Sequence, residues 1–341
     1  MQKEKRKKKR VTNFAIAGNV YQKKIRAKKS LGQNFLKSTL ALNKIIEAGE
    51  ISDKDIILEI GPGKGILTEK LLEKARIVIA IEKDSELFEF LKTKFEKEIK
   101  DKKLILLNKD ILEFEMSELE KSFWNSLAEP LGFGARKTED FSKTCFPIRY
   151  KIIANIPYNI TGAILKKFLT IENQPQMMVL MVQHEVAKRI IGKGKNPSTS
   201  LPSTSLRVKE SILSISVKAY GEPKIIMKVP ARYFSPAPKV DSAIIKINNI
   251  SKRLFVKDSA IAEKLINEDV FWKIVKAGFA HKRKILLSNL KTLNTRQPAR
   301  NAIHNVAGGD IIRVFKELGL SEKTRAEDLQ LSDWIKIAKQ L

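Results

Sequence analysis

The chain has 341 residues, of which 43% are hydrophobic and 30% are charged, and its formal net charge is +27. This composition is sufficient for a hydrophobic core and excludes a wholly disordered chain, and the apolar runs are too short to cross a bilayer. The single cysteine, Cys145, excludes an intramolecular disulfide and a cysteine-rich zinc site, so we expect a cytoplasmic protein with no metal centre.

The positive charge is concentrated toward the two ends of the chain. The net charge is +11 over residues 1–30, +1 over residues 31–170 and +15 over residues 171–341. Strongly basic segments of this kind favour binding to polyanions such as nucleic acids. We therefore expect small-molecule chemistry in the nearly neutral middle and polyanion contact around it.

Residues 1–29 are rich in lysine and have no periodic pattern, which predicts a disordered basic arm. A helix is predicted to begin after Ser38, and further helices are predicted at 65–74 and 84–97. Apolar runs typical of buried strands alternate with these helices. They are residues 55–60, 77–81, 104–107, 151–154 and 177–182. This alternation predicts a parallel sheet that is covered by helices on both faces.

Two segments interrupt the alternation: a long connection at 113–149, which predicts an irregular insertion, and a Gly/Ser/Thr/Pro-rich loop at 192–205. Two more strands are predicted at 212–217 and 243–247, and the pattern becomes helical from residue 258 onward. The expected fold is therefore α/β, with a Rossmann-like domain over residues 30–250 and a small helical domain over residues 251–341.

A glycine cluster, E-I-G-P-G-K-G at 59–65, follows the first of these strands. Glycines there allow a tight turn and close approach of a ligand to the backbone, but the spacing is one residue shorter than in the dinucleotide motif G-x-G-x-x-G. Glu82 ends the second strand, where Rossmann-like proteins place an acid against ribose hydroxyls. Asp110 follows the third strand and is suited to accept a hydrogen bond from an adenine amino group. A nucleoside cofactor without phosphates, S-adenosylmethionine, fits these signals best.

The fourth strand ends in the sequence Asn155-Ile156-Pro157-Tyr158, which suits methyl transfer to the exocyclic amine of adenine. That nitrogen is a poor nucleophile because its lone pair is delocalised into the ring. The side-chain oxygen of Asn155 and the carbonyl of Ile156 would accept hydrogen bonds from its two N–H groups and so localise the lone pair on the nitrogen. Pro157 would hold that carbonyl in place and Tyr158 would stack on the base, so no strong general base is needed.

Together these segments resemble the signatures of the small-subunit (16S) ribosomal RNA adenine N6,N6-dimethyltransferases (KsgA type). The resemblance also rests on KSLGQNFL at 29–36, FSPAPKVDS at 234–242 and AGFAHKRKILLSNL at 277–290, and it runs in order from about residue 28 to the C-terminus. It implies an S-adenosylmethionine-dependent enzyme that adds two methyl groups to each of two adjacent adenines. These lie in a hairpin loop near the 3′ end of the RNA, in the small ribosomal subunit precursor.

The resemblance also implies roles for individual residues. Asn155, Ile156, Pro157 and Tyr158 would form the target-base site, and Phe234 would lie on the other side of the flipped adenine. The residues expected to contact the cofactor are Asn34, Leu36, Glu59, Gly61, Gly63, Gly65, Glu82, Asp110 and Asn155. Within the basic second half, Lys282, Arg283 and Lys284 are expected to contact RNA phosphates, and the free enzyme is expected to be a monomer.

Two alternatives remain open at the level of the sequence. Large-subunit rRNA adenine methyltransferases of the macrolide-resistance type share the Asn-Ile-Pro-Tyr chemistry, but the segments at 31–36 and 236–242 are closer to the small-subunit type. A non-catalytic assembly or transcription factor could retain the fold, although intact Asn155, Tyr158, Glu82 and Asp110 disfavour it.

The three histidines, His184, His281 and His304, lack the spacing of metal ligands.

Overall fold

A computed structural model describes residues 26–115, 117–118, 149–192, 209–255, 266–294 and 308–341. Most of the predicted arm, insertion and 192–205 loop lies outside these residues, as do Cys145 and His304. The predicted arm extends too far at its C-terminal end, because the ammonium group of Lys28 already forms an ion pair with the buried carboxylate of Asp84. None of the helices that the structure describes combines the length and the apolar composition needed to cross a membrane.

A sheet of seven strands forms the centre of the described structure, and two further short strands pair with each other beside it. The strands are β1 (Phe35–Leu36), β2 (Ile56–Ile60), β3 (Ile77–Glu82), β4 (Leu104–Asn108), β5 (Lys151–Asn155), β6 (Met177–Gln183), β7 (Glu222–Val229), β8 (Phe234–Ser235) and β9 (Ser242–Asn248). The order in the large sheet is β4-β3-β2-β5-β6-β9-β7. The first five of these strands are parallel, and β9 runs antiparallel to both β6 and β7.

Helices cover both faces of this sheet, as predicted. They are α1 (Thr39–Gly49), α2 (Ile66–Leu72), α3 (Ser85–Lys94), α4 (Glu96–Lys100), α5 (Thr161–Thr170), α6 (His184–Ile191), α7 (Ile212–Lys218), α8 (Glu268–Gly278), α9 (Leu286–Leu290), α10 (Gly308–Glu317) and α11 (Leu331–Gln340). One buried cluster joins α1, α2 and α3 to one face of the sheet. A second cluster joins α5, α6 and α7 to the opposite face and continues into the helices after residue 266. Burial on both faces explains the unbroken apolar runs of β3 and β6.

The five parallel strands predicted from the sequence are confirmed, but the predicted strand at 212–217 is wrong. That segment is helix α7, and Ser211 starts it with a capping box: its side chain accepts a hydrogen bond from the N–H of Ser214, whose hydroxyl accepts one from the N–H of Ser211. A short apolar run fits either a strand or one face of a helix, and the cap decides between them here.

The sheet is also not wholly parallel, and the sequence pattern does not predict strand β7. Pro223 lies near the start of this strand, and its residues alternate irregularly between polar and apolar. Proline is tolerated there because β7 is the edge strand and pairs only with β9 in the described sheet. The parallel strands nonetheless bring the ends of β2, β3, β4 and β5 to one edge, and that edge carries the polar residues predicted to act.

Candidate active site

A cleft lies along this edge, at the carboxyl ends of β2 to β5, where ligands of doubly wound sheets bind. It encloses about 1070 Å³ of free space, part of which is continuous with solvent. The cleft is lined by four chain segments, namely residues 30–35, 60–63, 109–112 and 155–160, and by four residues between them, Ile81, Glu82, Lys83 and Leu87. The glycine turn, both predicted acids and the Asn155–Tyr158 sequence therefore face one space.

The glycine turn leaves room for a ligand against the backbone. Gly61 and Gly63 have φ angles of +66° and +60°, in the left-handed region that side chains with a Cβ atom rarely adopt. A Cβ atom on Gly61 would stand in the open cleft, 3.9 Å from the ring of Pro157, whereas one on Gly63 would lie 3.1 Å from the ring of Phe35. A larger residue at either position would narrow the cleft.

Glu82 is the acid at the end of β3, and its side chain is fixed by backbone donors. One carboxylate oxygen accepts the N–H of Gly63 at 3.1 Å and the other accepts the N–H of Asp84 at 2.9 Å. Glu82 is only 5% exposed, and this burial raises its pKa against the opposing effect of the two hydrogen bonds. The two oxygens together have four lone pairs, more than these backbone donors use, which suits the carboxylate to accept hydrogen bonds from ribose hydroxyls.

Asp110 lies just beyond β4 and is held as an ionised acceptor. Its carboxylate accepts hydrogen bonds from the ammonium of Lys83 at 2.6 Å and from the N–H of Leu112 at 3.0 Å. Partial burial raises the pKa of Asp110, but these hydrogen bonds outweigh it and the net pKa is below the usual range. Two apolar side chains, Ile111 and Leu112, line the cleft beside it, as suits a site for an adenine ring.

Asn155 ends β5, and its amide is oriented by a backbone carbonyl. Its Nδ2 donates to the carbonyl oxygen of Asn34 at 3.2 Å, and the Asn34 side chain in turn donates to the carbonyl of Gly32 at 3.1 Å. Because Nδ2 is engaged in this way, Oδ1 is the atom left to accept a hydrogen bond from a substrate amine. The motif at 29–36 pointed to this segment, but no side-chain pattern identifies a backbone carbonyl as the group that orients Asn155.

Tyr158 lies three residues further on, at the start of a short 3₁₀ helix after Pro157. Its hydroxyl shares a hydrogen bond of 2.5 Å with the hydroxyl of Ser242, which is wholly buried at the start of β9. Burial raises the pKa of the Tyr158 phenol, so it is neutral near pH 7. The sequence marked Ser242 only as the last residue of the motif at 234–242, and its contact with Tyr158 depends on the antiparallel strand β9.

Comparison with known proteins identifies the family to which the chain belongs. The family model described as ribosomal RNA adenine dimethylase matches residues 24–341. The chain belongs to the ribosomal RNA adenine dimethylase family. A ribosomal RNA small subunit methyltransferase A of Dehalococcoides mccartyi is 34% identical over 92% of this chain and 88% of its own length. The protein of the same name from Nostoc sp. is 33% identical over 93% of this chain and 98% of its own.

Solved structures agree with this assignment. A dimethyladenosine transferase from Plasmodium falciparum has a TM-score of 0.60 at 27% identity, over 89% of this chain and 95% of its own. The 23S rRNA methyltransferase ErmE has a TM-score of 0.58 at 20% identity, over 90% of this chain and 99% of its own, and shows a shared fold. The protein is thus an S-adenosylmethionine-dependent rRNA adenine dimethyltransferase, with a Rossmann-like domain followed by helices.

The residues of this dimethylase fit its cofactor. The open space over Gly61 admits a ligand against the backbone, Glu82 offers free lone pairs for hydroxyl groups, and Asp110 offers an ionised acceptor among apolar side chains. When bound, S-adenosylmethionine supplies an electrophilic methyl group on a sulfonium. The described residues contain no group of three or more His, Cys, Asp or Glu side chains arranged to hold a metal ion.

Other residues with a predicted role in the dimethylase lie outside the cleft lining. Leu36 and Phe234 are opposite each other in the β1–β8 pair and are 6% and 2% exposed. Gly65 lies beneath the turn, where a Cβ atom would be 2.6 Å from the ring of Phe95. The roles of Leu36 and Gly65 toward the cofactor stay predictions, as does stacking of Phe234 on the target base, which requires its buried ring to turn outward.

The three basic residues predicted to contact RNA are accessible in the dimethylase. Lys282, Arg283 and Lys284 are exposed in the connection between α8 and α9. Exposed cations in such a connection are free to follow phosphates, and their contact with RNA stays a prediction. Arg296 and Arg300, which belong to the same basic half, lie outside the described residues.

Glu59 is buried in β2 below the glycine turn and does not line the cleft. It is 1% exposed, and this burial raises its pKa from 4.5 to about 8, because the Thr68 hydroxyl and the charge of Lys94 offset little of the desolvation. The carboxyl group is therefore protonated in the folded dimethylase near pH 7. Its predicted contact with the cofactor stays a prediction.

This protonation predicts a pH-dependent stability that the Glu59→Gln variant lacks. Above about pH 4.5 the unfolded chain releases the Glu59 proton while the folded chain keeps it up to about pH 8, so the free energy of unfolding falls over this range by up to about 4 kcal/mol. Urea unfolding at pH 5 and pH 8 measures the effect. The stability gained by Glu59→Gln should grow with pH, whereas the exposed control Glu47→Gln should show no such trend. Parallel curves for all three proteins would contradict the buried proton.

Proposed function

We propose that this dimethylase acts on the small-subunit rRNA, in the small ribosomal subunit precursor, and adds two methyl groups to each of two adjacent adenines in a hairpin loop near its 3′ end. The relatives named small subunit methyltransferase A support this substrate, and so do the segments at 31–36 and 236–242. The observation that carries the chemistry is the hydrogen bond from Asn155 to the Asn34 carbonyl, which leaves Oδ1 of Asn155 as an acceptor beside the cofactor cleft.

The cleft is suited to activate the adenine amine by hydrogen bonding. Oδ1 of Asn155 and the carbonyl of Ile156 accept hydrogen bonds from the two N–H groups of the target amine. These hydrogen bonds shift the nitrogen lone pair out of the ring and toward the methyl group. Tyr158 holds the base by stacking, and its hydroxyl remains fixed to Ser242. S-adenosylmethionine held beside the glycine turn and Glu82 would supply the methyl group from its sulfonium, and the methylated amine would release its proton to water.

The two carboxylates that line the cleft already have hydrogen-bond partners within the protein. Glu82 is bound by two backbone N–H groups, and Asp110 is paired with Lys83. The proposed reaction therefore depends on positioning and electrostatics rather than on a strong general base.

A hairpin loop is a favourable target for such a cleft. The base must leave the stack to reach Asn155, and this costs less for an unpaired base than for one in a stem. The exposed Lys282, Arg283 and Lys284 would neutralise phosphates nearby. Action on a precursor of the small subunit implies a cytoplasmic location, and a monomer suffices because one chain supplies the whole cleft.

Transfer of labelled methyl groups to isolated ribosomal subunits tests this proposal. Small subunits that lack the modification should accept label on two adjacent adenines, and small subunits that already carry it should accept none. Label that enters only large-subunit RNA would favour the macrolide-resistance type of activity instead. Absence of label despite cofactor binding would favour a non-catalytic assembly factor.

A further inference from the structure

One wall of the cofactor cleft is a segment from the N-terminal end of the described chain. We call residues 28–34 the strap. Residues 30–34 line the cleft, and the carbonyl of Asn34 accepts the hydrogen bond that orients Asn155. The strap precedes the first strand and contains no helix longer than the three residues Lys29–Leu31, so contacts made by its side chains contribute to its position.

Those contacts converge on Asp84, in the turn after β3. One Asp84 carboxylate oxygen lies 2.5 Å from the ammonium nitrogen of Lys28, and the other accepts a hydrogen bond from Nε2 of Gln33 at 2.9 Å. The side chain of Gln33 also accepts the backbone N–H of Lys28 at 2.8 Å, which closes the arrangement. The Lys28 ammonium lies 3.6 Å from the Glu86 carboxylate as well. The two ends of the strap are thereby fastened to one carboxylate.

Asp84 is built into the cofactor site as well as into the strap. Its side chain is 2% exposed, and it caps helix α3 by accepting the N–H of Glu86 at 3.0 Å. Its own backbone N–H donates to the Glu82 carboxylate at 2.9 Å, the acid expected to bind the ribose. Burial raises the pKa of Asp84, but hydrogen bonds from Lys28 and Gln33 lower it more, so the group is ionised.

We propose that Asp84 is a positioning residue that fastens the strap over the cofactor cleft through Lys28 and Gln33, and that this fastening sets the affinity for S-adenosylmethionine. For a cofactor that needs the strap in place, the apparent dissociation constant rises in inverse proportion to the fraction of molecules in which the strap is fastened. A hydrogen bond to a partly buried charge is strong enough to control that fraction. The inference depends on the cofactor site of the family and not on which ribosomal RNA is methylated.

Calorimetric titration of the full-length protein with S-adenosylmethionine, in the absence of RNA, tests the fastening. Asp84→Asn keeps an oxygen that caps α3 but removes the charge, and Asp84→Asn should raise the dissociation constant by about tenfold. Lys28→Met leaves the hydrogen bond from Gln33 to Asp84, so its loss should be no larger than that of Asp84→Asn, and the double variant should bind no more weakly than Asp84→Asn alone. Lys28→Arg retains the charge and should stay within about threefold of the wild type.

A second measurement follows the strap without any cofactor. Trypsin cleavage after Lys29, identified by mass spectrometry, should be several-fold faster in Asp84→Asn than in the wild type. The matched control is Lys70→Met, which breaks the exposed Lys70–Glu73 pair of 2.8 Å and should change neither measurement.

Three results would overturn the proposal. The first is unchanged cofactor affinity in Asp84→Asn, even with a lowered melting temperature, since that would mean a purely structural role. The second is additive losses in the double variant, and the third is unchanged cleavage after Lys29. Because no RNA is present in either measurement, these outcomes are independent of the methyl-transfer test of the substrate.

Discussion

Replacing Asn155 with alanine is expected to lower the rate of methyl transfer at saturating substrate by about 10²–10³-fold, with little change in RNA affinity. In the proposed mechanism the variant loses the oxygen that accepts a hydrogen bond from one N–H of the target amine, and this acceptor matters most as the nitrogen becomes tetrahedral. RNA affinity depends mainly on phosphate contacts elsewhere, so it should change by less than about threefold. Single-turnover transfer and an RNA-binding titration measure the two quantities separately.

The Asn155→Asp variant separates the acceptor from its orientation. It keeps an oxygen for the substrate but replaces the Nδ2 donor, so a carboxylate oxygen would face the carbonyl of Asn34. We expect this variant to be strongly impaired as well, because the repulsion turns the group away from the amine. Asn43→Ala, an exposed asparagine on α1, is the matched control and should be fully active. A fully active Asn155→Ala enzyme would remove Asn155 from the mechanism.

Replacing Tyr158 with alanine is expected to lower kcat/KM for RNA by about 10- to 100-fold, because stacking on a base contributes roughly 1–3 kcal/mol. Tyr158→Phe keeps the ring and loses only the hydrogen bond to Ser242, so its loss should stay below about tenfold. Ser242→Ala removes the same hydrogen bond from the other side and should match Tyr158→Phe. Steady-state kinetics of the three variants distinguish stacking from hydrogen bonding.

The pH dependence of the same variants provides a further check on Tyr158. Burial raises the pKa of its phenol above the ordinary value of 10, so the side chain is protonated at neutral and mildly alkaline pH. The wild type and Tyr158→Phe should therefore have pH–rate profiles of the same shape. Equal activities of Tyr158→Ala and Tyr158→Phe would contradict the stacking role.

The sheet and the acids at its strand ends could be predicted because parallel strands leave strong local signals. Strands such as β3 are buried on both faces and read as continuous apolar runs. Because all parallel strands end at one edge, Glu82, Asp110 and Asn155 were expected in one site, and they do line one cleft. The order of these residues along the chain was sufficient for that inference.

Contacts between distant segments could not be predicted in the same way. Helix α7 depends on a serine cap that a short apolar run does not reveal, and β7 depends on being at the edge of the sheet. The hydrogen bond from Asn155 to Asn34 joins residues 121 positions apart through a backbone carbonyl, which carries no sequence signal of its own. Phe234, predicted from the resemblance as a stacking aromatic, is buried in the β1–β8 pair.

The buried cluster that continues from the sheet into the C-terminal helices limits how specificity can be exchanged between relatives. Phe271 and Trp334 belong to the same cluster as Ile79 and Leu165, and Tyr220 stacks with Trp272 across the junction at 6.0 Å between ring centroids. A chimera that received these helices from another methyltransferase would have to rebuild one entire face of the catalytic sheet. Grafting only the surface side chains around Lys282 avoids this, so we expect such grafts to give soluble protein where whole-domain swaps produce aggregated protein, as measured by size-exclusion chromatography.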